Sequence, residues 1–316
     1  MRIGFIGLGN MGAPMAGFVL KGGYALVVHD LRKPVATALI EQGAIWADSP
    51  ADVAAHCDVI CTCVPGPAEM QAVTVGPRGI LEGLQPGAVY IDHTTNAPAV
   101  VREVGAMVQA RGAHMLDAPL DGGQEGALEG QLTLFVGGDE VVLQRVRPLL
   151  DLFARSVVWV GALGAGSITK LVHNALAMSI DLVLTECLTL GAKAGVTVAR
   201  LVEAFREGCI VANNMTFTKR LPATLFRGDF AARFALKLAY KDFRLVTELA
   251  EQNGVPARLL ELCQSELLEA MNRGWGDQDR TKASTLQEER ARVTLRLTPD
   301  MAAGVPGMDH EGTTSH

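Results

Sequence analysis

The sequence predicts an α/β fold with a mostly parallel, doubly wound sheet, followed by an all-α domain. Over roughly the first 160 residues, short apolar segments with strand character alternate with helical segments. Beyond residue 164 the strand character stops and long helical segments follow. Strands that alternate with helices form βαβ units, whose strands pair in parallel. We therefore expect a sheet domain over residues 1–163 and a helical domain over residues 164–297.

The expected strands of the sheet domain alternate with helices. The first strand, residues 2–6, is short and apolar and leads through a glycine-rich turn into a helix from about Met11 to Leu20. Another helix is expected after Ser49, because Ser49 suits the N-cap and Pro50 the first helical position. The remaining strands are expected at residues 25–29, 58–63, 88–91, 114–117, 132–136 and 157–160.

The second half of the chain is expected to be helical up to about residue 296. Its longest helix, at about residues 167–194, contains no proline and is apolar on most sides, which favours burial in a domain or subunit interface. Further helices are expected at residues 236–253 and 256–273. Residues 298–316 are rich in Gly, Pro, Thr and Met without periodicity, which predicts a disordered tail.

Composition and charge narrow the classes of function. The chain has 316 residues, of which 49% are hydrophobic and 20% charged, so it can form a full core. Its net charge of −6 argues against a nucleic-acid or anionic-membrane surface. Glycines and Pro14 interrupt the first 20 residues, and no run of 18 apolar residues occurs, so we expect neither a signal peptide nor a membrane span. These observations predict a cytoplasmic protein.

The cysteines and histidines do not suggest a metal site. The six cysteines form no CxxC pair and no Cys/His spacing that suits zinc, and the seven histidines form no HExxH. We expect six reduced thiols and no bound metal.

Residues 7–12, Gly7-Leu8-Gly9-Asn10-Met11-Gly12, form a GxGxxG motif that follows a strand and opens a helix. In such a motif the first glycine makes a tight turn, the second lets the backbone approach a diphosphate, and the third allows helix and strand to pack closely. The helix N-terminus adds unpaired N–H groups and the positive end of its dipole. This context predicts a Rossmann domain that binds a nicotinamide dinucleotide through these six residues.

An acidic residue at the end of the second strand bears on the choice of cofactor. Asp30 can accept hydrogen bonds from the adenosine ribose hydroxyls and would repel a 2′-phosphate, which favours NAD over NADP. Arg32 and Lys33 leave the alternative open, because they could neutralise a phosphate if the loop turns inward.

Val64 and Pro65 follow the strand expected at residues 58–63. They should lie at the carboxyl edge of the sheet, where open α/β sheets bind ligands, and we expect them to line the nicotinamide half of the cofactor.

Five separated motifs occur in order over roughly residues 1–290. They are IGFIGLGNMGAPMA at residues 3–16, DHTT at 92–95, DAPLDGG at 117–123 followed by Gly126-Ala127 and Gly130, Gly164-Ala165-Gly166 with Lys170 and Asn174, and Lys241-Asp242. This series resembles the motifs of the β-hydroxyacid dehydrogenase family, which includes 3-hydroxyisobutyrate dehydrogenase and tartronate semialdehyde reductase.

The resemblance implies reversible oxidation of a small β-hydroxy acid by a nicotinamide cofactor, in a homodimer or homotetramer. It identifies Lys170 as the catalytic lysine and Asn174 as the catalytic-site asparagine. It assigns substrate binding to Asp121, Gly122, Gly123 and Lys241, and further cofactor binding to Thr94, Thr95, Lys241 and Asp242.

The chemistry of Lys170 and Asn174 agrees with these roles. Lys170 and Asn174 are four residues apart in a helical segment, so they share one face. A hydroxyl group that loses a hydride needs an acceptor for its proton and a partner for the developing oxyanion. A lysine can supply both, provided that its pKa falls toward neutrality. Asn174 can orient the amine or the hydroxyl without adding charge.

The substrate-binding motifs depart from the family at three positions. Asp121 stands where the family has Ser, Gln131 where it usually has Thr, and His173 where it has the first Asn of an Asn pair. An ionised Asp cannot donate a hydrogen bond to a substrate carboxylate as Ser can. Either Asp121 turns away, or the substrate offers a donor such as an ammonium or a 2-hydroxyl group.

Two other functions are compatible with the fold. Reductases of imines or bulkier carbonyls resemble it, but they generally lack the catalytic lysine, so Lys170 argues against them. A non-catalytic NAD-binding module would not need Lys170 and Asn174. We therefore favour the dehydrogenase.

Overall fold

The computed structural model describes residues 1–211 and 213–297, which divide into two compact units. The first unit runs from Met1 to Val172 and the second begins at His173. The tail predicted at residues 298–316 lies outside the described residues.

The first unit is built on a nine-stranded sheet, and every strand that the sequence predicts is present in it. The order is β3-β2-β1-β4-β5-β6-β8-β7, with β9 paired to β8. The strands are β1 Arg2–Ile6, β2 Ala25–His29, β3 Ile45–Trp46, β4 Val59–Thr62, β5 Val89–Asp92, β6 His114–Asp117, β7 Leu120–Asp121, β8 Leu132–Gly137 and β9 Ala154–Gly161.

The pairing confirms the predicted fold class. The six strands from β3 to β6 pair in parallel, and the order turns outward in both directions from β1 and β4, as in a doubly wound sheet. In β4, Val59 and Cys61 belong to one hydrophobic core and Ile60 to a second. Both faces of the strand are therefore buried, which explains why its sequence is almost continuously apolar.

Helices cover this sheet and continue into the second unit. Ser49 caps its helix as predicted, with its Oγ accepting the Asp52 N–H at 3.1 Å. The helices of the first unit are α1 Gly12–Lys21, α2 Thr37–Glu41, α3 Pro50–His56, α4 Pro67–Val75, α5 Ile80–Gly83, α6 Pro98–Ala110, α7 Gly123–Glu129 and α8 Glu140–Leu150. Helix α9, Ala165–Lys193, begins in the first unit and ends in the second.

Two short strands and two antiparallel pairings were not predicted. Strands β3 and β7 have two residues each, too few to show a periodic pattern. Strand β8 runs antiparallel to β6 and β7, whereas β9 is parallel to β8. The sheet is therefore mixed at this edge.

The second unit is helical, but the prediction of helix throughout residues up to 296 was too broad. Residues 224–235 and 273–279 are not helical. The buried carboxylate of Asp279 accepts the N–H groups of Arg233 and Phe234 at 3.0–3.1 Å, which holds the end of the first interruption. It also accepts the Thr281 N–H at 3.1 Å and so caps the turn that follows the second. The helices after α9 are α10 Val198–Glu207, α11 Leu221–Ala223, α12 Leu236–Gln252, α13 Arg258–Asn272 and α14 Ser284–Ala291.

By length and composition alone, α9 is the one helix of the described residues that could cross a membrane. Core helices of globular proteins share these properties, and the polar contacts of α9 fit that explanation. Its buried Asp181 lies 2.7 Å from Arg280 Nε, and its Thr185 hydroxyl donates to Ser284 Oγ at 2.9 Å. Side chains of the second unit thus meet the polar groups on this face of the helix.

Candidate active site

The glycine-rich turn between β1 and α1 has the geometry of a diphosphate cradle. Gly7 has φ +90°, and a Cβ there would collide with the Cys63 carbonyl oxygen. A Cβ at Gly12 would collide with the Gly7 carbonyl oxygen, so helix and turn touch backbone to backbone. A Cβ at Gly9 would instead point into open space. The surface above Gly9 is therefore accessible to a ligand that must approach the backbone.

The residues between these glycines leave the start of α1 available to an anion. Met11 occupies the N-cap position and makes no side-chain capping hydrogen bond. Asn10 is exposed, whereas the Leu8 side chain is buried in the core, so Leu8 contributes only backbone to the turn. An anion at this position would meet N–H groups and the positive end of a ten-residue helix. The turn thus fits the diphosphate of a dinucleotide.

Asp30 joins the glycine-rich turn to the end of β2. Its Oδ2 accepts the Leu8 N–H at 2.8 Å, and its Oδ1 accepts the Arg32 N–H at 2.9 Å. A carboxylate has about four lone-pair sites, so both oxygens can still accept a ribose hydroxyl. Asp30 thus holds the glycine-rich turn in place, a structural role that the sequence did not reveal.

The two basic residues after Asp30 have different surroundings. The Lys33 ammonium lies 5.4 Å from the centre of the Trp46 ring, which gives it a cation–π partner. Arg32 is exposed. Lys33 is exposed as well, so the two residues differ in the aromatic contact of Lys33 and not in their access to solvent.

Two loops at the carboxyl edge of the sheet are joined through Thr94. The Val64 N–H donates to Thr94 Oγ1 at 3.2 Å, and the Thr94 N–H donates to the buried Asp92 Oδ1 at 3.2 Å. Val64 and Thr95 are half-buried, and Pro65 is exposed. The predicted cofactor residues after β4 and β5 therefore lie beside each other.

Asp92, at the end of β5, holds the residues at this edge of the sheet through hydrogen bonds. Its carboxylate also accepts from the Thr62 hydroxyl at 2.8 Å and from Asn96 Nδ2 at 3.1 Å. Burial raises the pKa of Asp92, although the hydrogen bonds from Thr94, Thr62 and Asn96 oppose the rise. Asp92 thus fixes the loop that carries Thr94 and Thr95.

His93 stands in the same loop but is not a candidate acid or base. It packs between Phe5 and Phe153, and its Nδ1 lies 2.8 Å from the Ala118 carbonyl oxygen. Burial lowers the pKa of His93 to about 4, so the ring is neutral near pH 7. Its role is to fill the core next to the cofactor loops.

The start of α9 is held by Asp117 at the end of β6. Asp117 Oδ1 accepts the Gly164 N–H at 2.8 Å, and Oδ2 accepts the Ser167 N–H at 2.7 Å. These are N–H groups that lack intrahelical partners at a helix start. Burial raises the pKa of Asp117, with the two N–H bonds opposing the rise. Asp117 therefore anchors the first turn of the helix that carries Lys170.

Lys170 is buried and lies next to Asp121. Only 8% of the Lys170 side chain is exposed, and its Nζ is 3.3 Å from Asp121 Oδ1. The Asp121 side chain is 39% exposed. The Asp121 carboxylate thus faces the lysine, and that a donor on the substrate meets it stays a prediction.

Gly122 and Gly123 follow Asp121 directly, and both adopt positive φ, +120° and +63°. Successive residues of this kind can aim backbone N–H groups at one anion. A Cβ at Gly123 would meet no atom within 4 Å. The predicted carboxylate site is therefore open at Gly123.

In the second unit, Asn174, Asp242 and Lys241 form one cluster. Asn174 Nδ2 donates to Asp242 Oδ2 at 2.7 Å, and the Lys241 ammonium is 3.1 Å from Asp242 Oδ1. Asp242 is buried, with 2% of its side chain exposed, and the Lys241 side chain is 24% exposed. Asp242 is thus part of a buried network and not an exposed helical charge.

The sequence pointed to most of these residues but gave no role to Asp92 and Asp117. Both were visible as the first residue of a motif, DHTT or DAPLDGG, at the end of an expected strand. That position was the available signal, since carboxylates at carboxyl ends of parallel strands meet the loops that bind ligands. Among the described residues, no group of three or more His, Cys, Asp or Glu side chains is arranged to hold a metal ion.

Two family models match the chain. One, described as the NAD binding domain of 6-phosphogluconate dehydrogenase, matches residues 2–161. The other, described as NAD-binding of NADP-dependent 3-hydroxyisobutyrate dehydrogenase, matches residues 164–286. Together they account for nearly all of the described residues and agree with the diphosphate cradle above.

Individual proteins give the same result. A 2-(hydroxymethyl)glutarate dehydrogenase of Eubacterium barkeri is 30% identical, over 93% of this chain and 97% of its own length. An NAD-dependent L-serine dehydrogenase of Pseudomonas aeruginosa is 31% identical, over 88% of this chain and 95% of its own. A structure of Mycobacterium tuberculosis 3-hydroxyisobutyrate dehydrogenase with L-serine superposes with a TM-score of 0.80 at 26% identity, covering 90% of this chain and 99% of that one.

These matches confirm the resemblance inferred from the five motifs. They span both units and almost the full length of the relatives. The chain is a member of the β-hydroxyacid dehydrogenase family and an NAD(P)-dependent oxidoreductase.

Proposed function

We propose that the enzyme transfers a hydride between NAD and a small β-hydroxy acid, with Lys170 as the acid–base residue. The observation that carries this proposal is the burial of the Lys170 amine beside Asp121, on a helix whose first turn is fixed by Asp117. A lysine that merely solubilised a helix would be exposed. Burial of this kind is typical of a lysine with a chemical role.

The named substrates of the relatives share one chemical core. L-Serine, 3-hydroxyisobutyrate and 2-(hydroxymethyl)glutarate are all 3-hydroxypropanoates, HOCH2–CH(R)–COO⁻, and they differ only in the substituent R at C2. The substituents are an ammonium, a methyl and a carboxyethyl group. We infer that this enzyme acts on the same core.

In the oxidative direction, the hydroxyl proton passes to the Lys170 amine while the C3–H bond delivers its hydride to the cofactor. The bound cofactor supplies the hydride acceptor. In the reverse direction the Lys170 ammonium donates to the carbonyl oxygen as negative charge develops there. Gly122 and Gly123 offer backbone N–H groups to the carboxylate. Lys241 remains a residue that we propose for substrate binding from its motif.

Asn174 lies one helical turn after Lys170 on α9. Because its Nδ2 donates to Asp242, its Oδ1 is the atom that can accept the substrate hydroxyl or the lysine ammonium. Asp242 acts through Asn174 and is a positioning residue, and the proximity of Lys241 stabilises its buried charge.

For the cofactor, we propose that residues 7–12 bind the diphosphate and that Asp30 binds the adenosine ribose. Val64, Pro65, Thr94 and Thr95 would line the nicotinamide half. NAD is favoured over NADP because two backbone N–H groups fix the Asp30 carboxylate, which would repel a 2′-phosphate.

We also propose a cytoplasmic homodimer or homotetramer without a nucleic-acid or membrane surface. The predicted domains, 1–163 and 164–297, remain our proposed division, with α9 assigned to the second. The net charge of −6 supports the absence of a polyanion-binding surface. The apolar residues exposed along α9 support self-association.

The experiment is a spectrophotometric assay of NAD and NADP reduction with a panel of 3-hydroxypropanoates. Activity with at least one of them is expected, and Lys170→Ala should lower kcat by about 10²- to 10⁴-fold without changing the Kd for NAD. Lys193→Ala, at the exposed end of the same helix, is the matched control. Activity of the Lys170 variant within a few-fold of the wild type would refute its role, and turnover of imines alone would support the reductase alternative.

A further inference from the structure

We propose that Asp121 selects substrates with a cationic group at C2, so that the preferred substrate is a β-hydroxy-α-amino acid. This inference rests on the proposed function and specifies the substituent R that was left open there. It concerns a carboxylate in direct contact with the acid–base residue.

The position of Asp121 is fixed from two sides. Its backbone belongs to β7 and pairs with Thr133 of β8 in an antiparallel register. Its Oδ1 lies 3.3 Å from Lys170 Nζ. The Asp121 side chain is 39% exposed and that of Lys170 only 8%, so the carboxylate is the more accessible partner of the pair. A substrate atom in contact with Lys170 Nζ would therefore lie close to Asp121 Oδ1.

The charges of the pair favour a zwitterionic substrate. In the oxidative direction Lys170 must be a neutral amine to take the hydroxyl proton, so an ionised Asp121 leaves the pair with one negative charge. A plain β-hydroxy acid adds one negative charge, which the pair does not compensate and which lies close to the Asp121 carboxylate in a partly buried site. A β-hydroxy-α-amino acid adds no net charge, and its ammonium compensates Asp121. Of substrates with an ammonium, a neutral group or a carboxylate-bearing group at C2, the last should bind most weakly.

The distances permit both contacts at once. A substrate hydroxyl oxygen that is hydrogen-bonded to Lys170 Nζ would lie about 3 Å from that nitrogen. Asp121 Oδ1 lies 3.3 Å from the same nitrogen. The hydroxyl oxygen and the amine nitrogen on adjacent carbons are also roughly 3 Å apart when gauche. The four polar atoms can therefore form a closed set of contacts. Asp121 need not release Lys170, because a carboxylate accepts several donors.

The reaction on such a substrate balances with the proposed chemistry. L-Serine loses its C3 hydrogen as a hydride to NAD⁺ and its hydroxyl proton to the Lys170 amine. The C–O bond becomes C=O, and the product is 2-amino-3-oxopropanoate. The C2 ammonium takes no part in the transfer of electrons, so Asp121 affects binding of the substrate and not the stoichiometry.

The test compares L-serine with 3-hydroxypropionate, which differ only in the C2 ammonium. For the wild type, kcat/KM should be higher for L-serine. In Asp121→Asn and Asp121→Ser, the ratio of the two kcat/KM values should fall by about 10- to 100-fold, the value of one charge-assisted contact. Using the ratio cancels any general loss of activity from a displaced Lys170. Glu129→Gln removes an exposed charge from the far end of α7 and should leave the ratio unchanged.

The outcomes separate this inference from the proposed function. A wild type that prefers 3-hydroxypropionate, or Asp121 variants with the wild-type ratio, would overturn the role of Asp121 and leave the dehydrogenase intact. L-Glycerate tests the charge itself, since it offers a neutral donor at C2, and an activity equal to that with L-serine would overturn the charge argument. No oxidation of these three, with oxidation of another 3-hydroxypropanoate such as 3-hydroxyisobutyrate, would overturn the role of Asp121 alone, whereas no oxidation of any member of the panel with NAD or NADP would overturn both proposals.

Discussion

The side-chain amide of Asn174 donates to the buried carboxylate of Asp242, with 2.7 Å between Nδ2 and Oδ2. An ionised carboxylate only accepts hydrogen bonds, so this contact fixes which end of the amide points away. The contact thereby leaves the Asn174 Oδ1 directed away from Asp242 as a hydrogen-bond acceptor.

Asp242→Asn should remove this control, because an amide partner can accept or donate and Asn174 can then rotate. We expect kcat to fall by about 10- to 100-fold, the range for a misplaced orienting group, with the KM for NAD nearly unchanged. Asp277→Asn is the control. Asp277 pairs with Lys237, which is on the same helix as Asp242, but the Asp277 side chain is 88% exposed. A raised KM for NAD at constant kcat would instead assign Asp242 to the cofactor.

Asp30→Ala should narrow the preference for NAD. The variant removes both the repulsion of a 2′-phosphate and the acceptor for the ribose, so kcat/KM with NAD should fall more than with NADP. Asp58→Asn is a suitable control, because Asp58 also accepts a backbone N–H, from Arg2 at 2.7 Å, outside the proposed site. A wild type that prefers NADP would contradict our explanation of this loop.

His93 should destabilise the protein in acid. Burial lowers its pKa to about 4, against 6.5 for an ordinary histidine. Between these values the unfolded chain binds more protons than the folded protein, so stability decreases as the pH falls through this window. Relative to His93→Leu, which cannot titrate, the wild type should lose about 1.4 kcal/mol per pH unit at most. Urea unfolding of both proteins at pH 7, 6, 5 and 4 measures the free energy of unfolding at each pH. The same pH dependence in the wild type and in His93→Leu would contradict the prediction.

The apolar face of α9 predicts self-association. Leu176, Val183 and Leu190 are 63%, 56% and 71% exposed in the single chain. We expect at least a dimer by light scattering at micromolar concentration, and a lower mass for Leu176→Glu/Val183→Glu, because a charge in an apolar interface costs several kcal/mol. Val141→Glu, at a residue 78% exposed on α8, is the control. A monomeric wild type would refute the prediction.

The features predicted correctly from the sequence are those that depend on neighbouring residues. The turn from Gly7 to Gly12 and the cap at Ser49 each follow from a few adjacent residues with specific backbone requirements. The alternation of strands and helices likewise needs no distant contact. Such local rules do not depend on the rest of the fold.

The contacts that were missed join residues far apart in the sequence. Asp117 lies 47 residues before Gly164, and Asp121 lies 49 before Lys170. Which of two polar side chains meets the other depends on the twist of the sheet and on the unpredicted strand β7. The sequence therefore identified Asp121 as unusual but left both of its orientations open.

The anchor at Asp117 has a consequence for how enzymes of this kind can diversify. Asp121, which contacts Lys170, lies four residues after Asp117. The Asp117 carboxylate also accepts two N–H groups from the first turn of the helix that carries Lys170. The positions of Lys170 and of the side chain at position 121 therefore both depend on Asp117 at the end of β6. A substitution at position 121 can therefore change the charge beside Lys170 while the first turn of its helix keeps both hydrogen bonds to Asp117. If Lys170 has the proposed role, substrate preference and the position of the acid–base group can be altered separately.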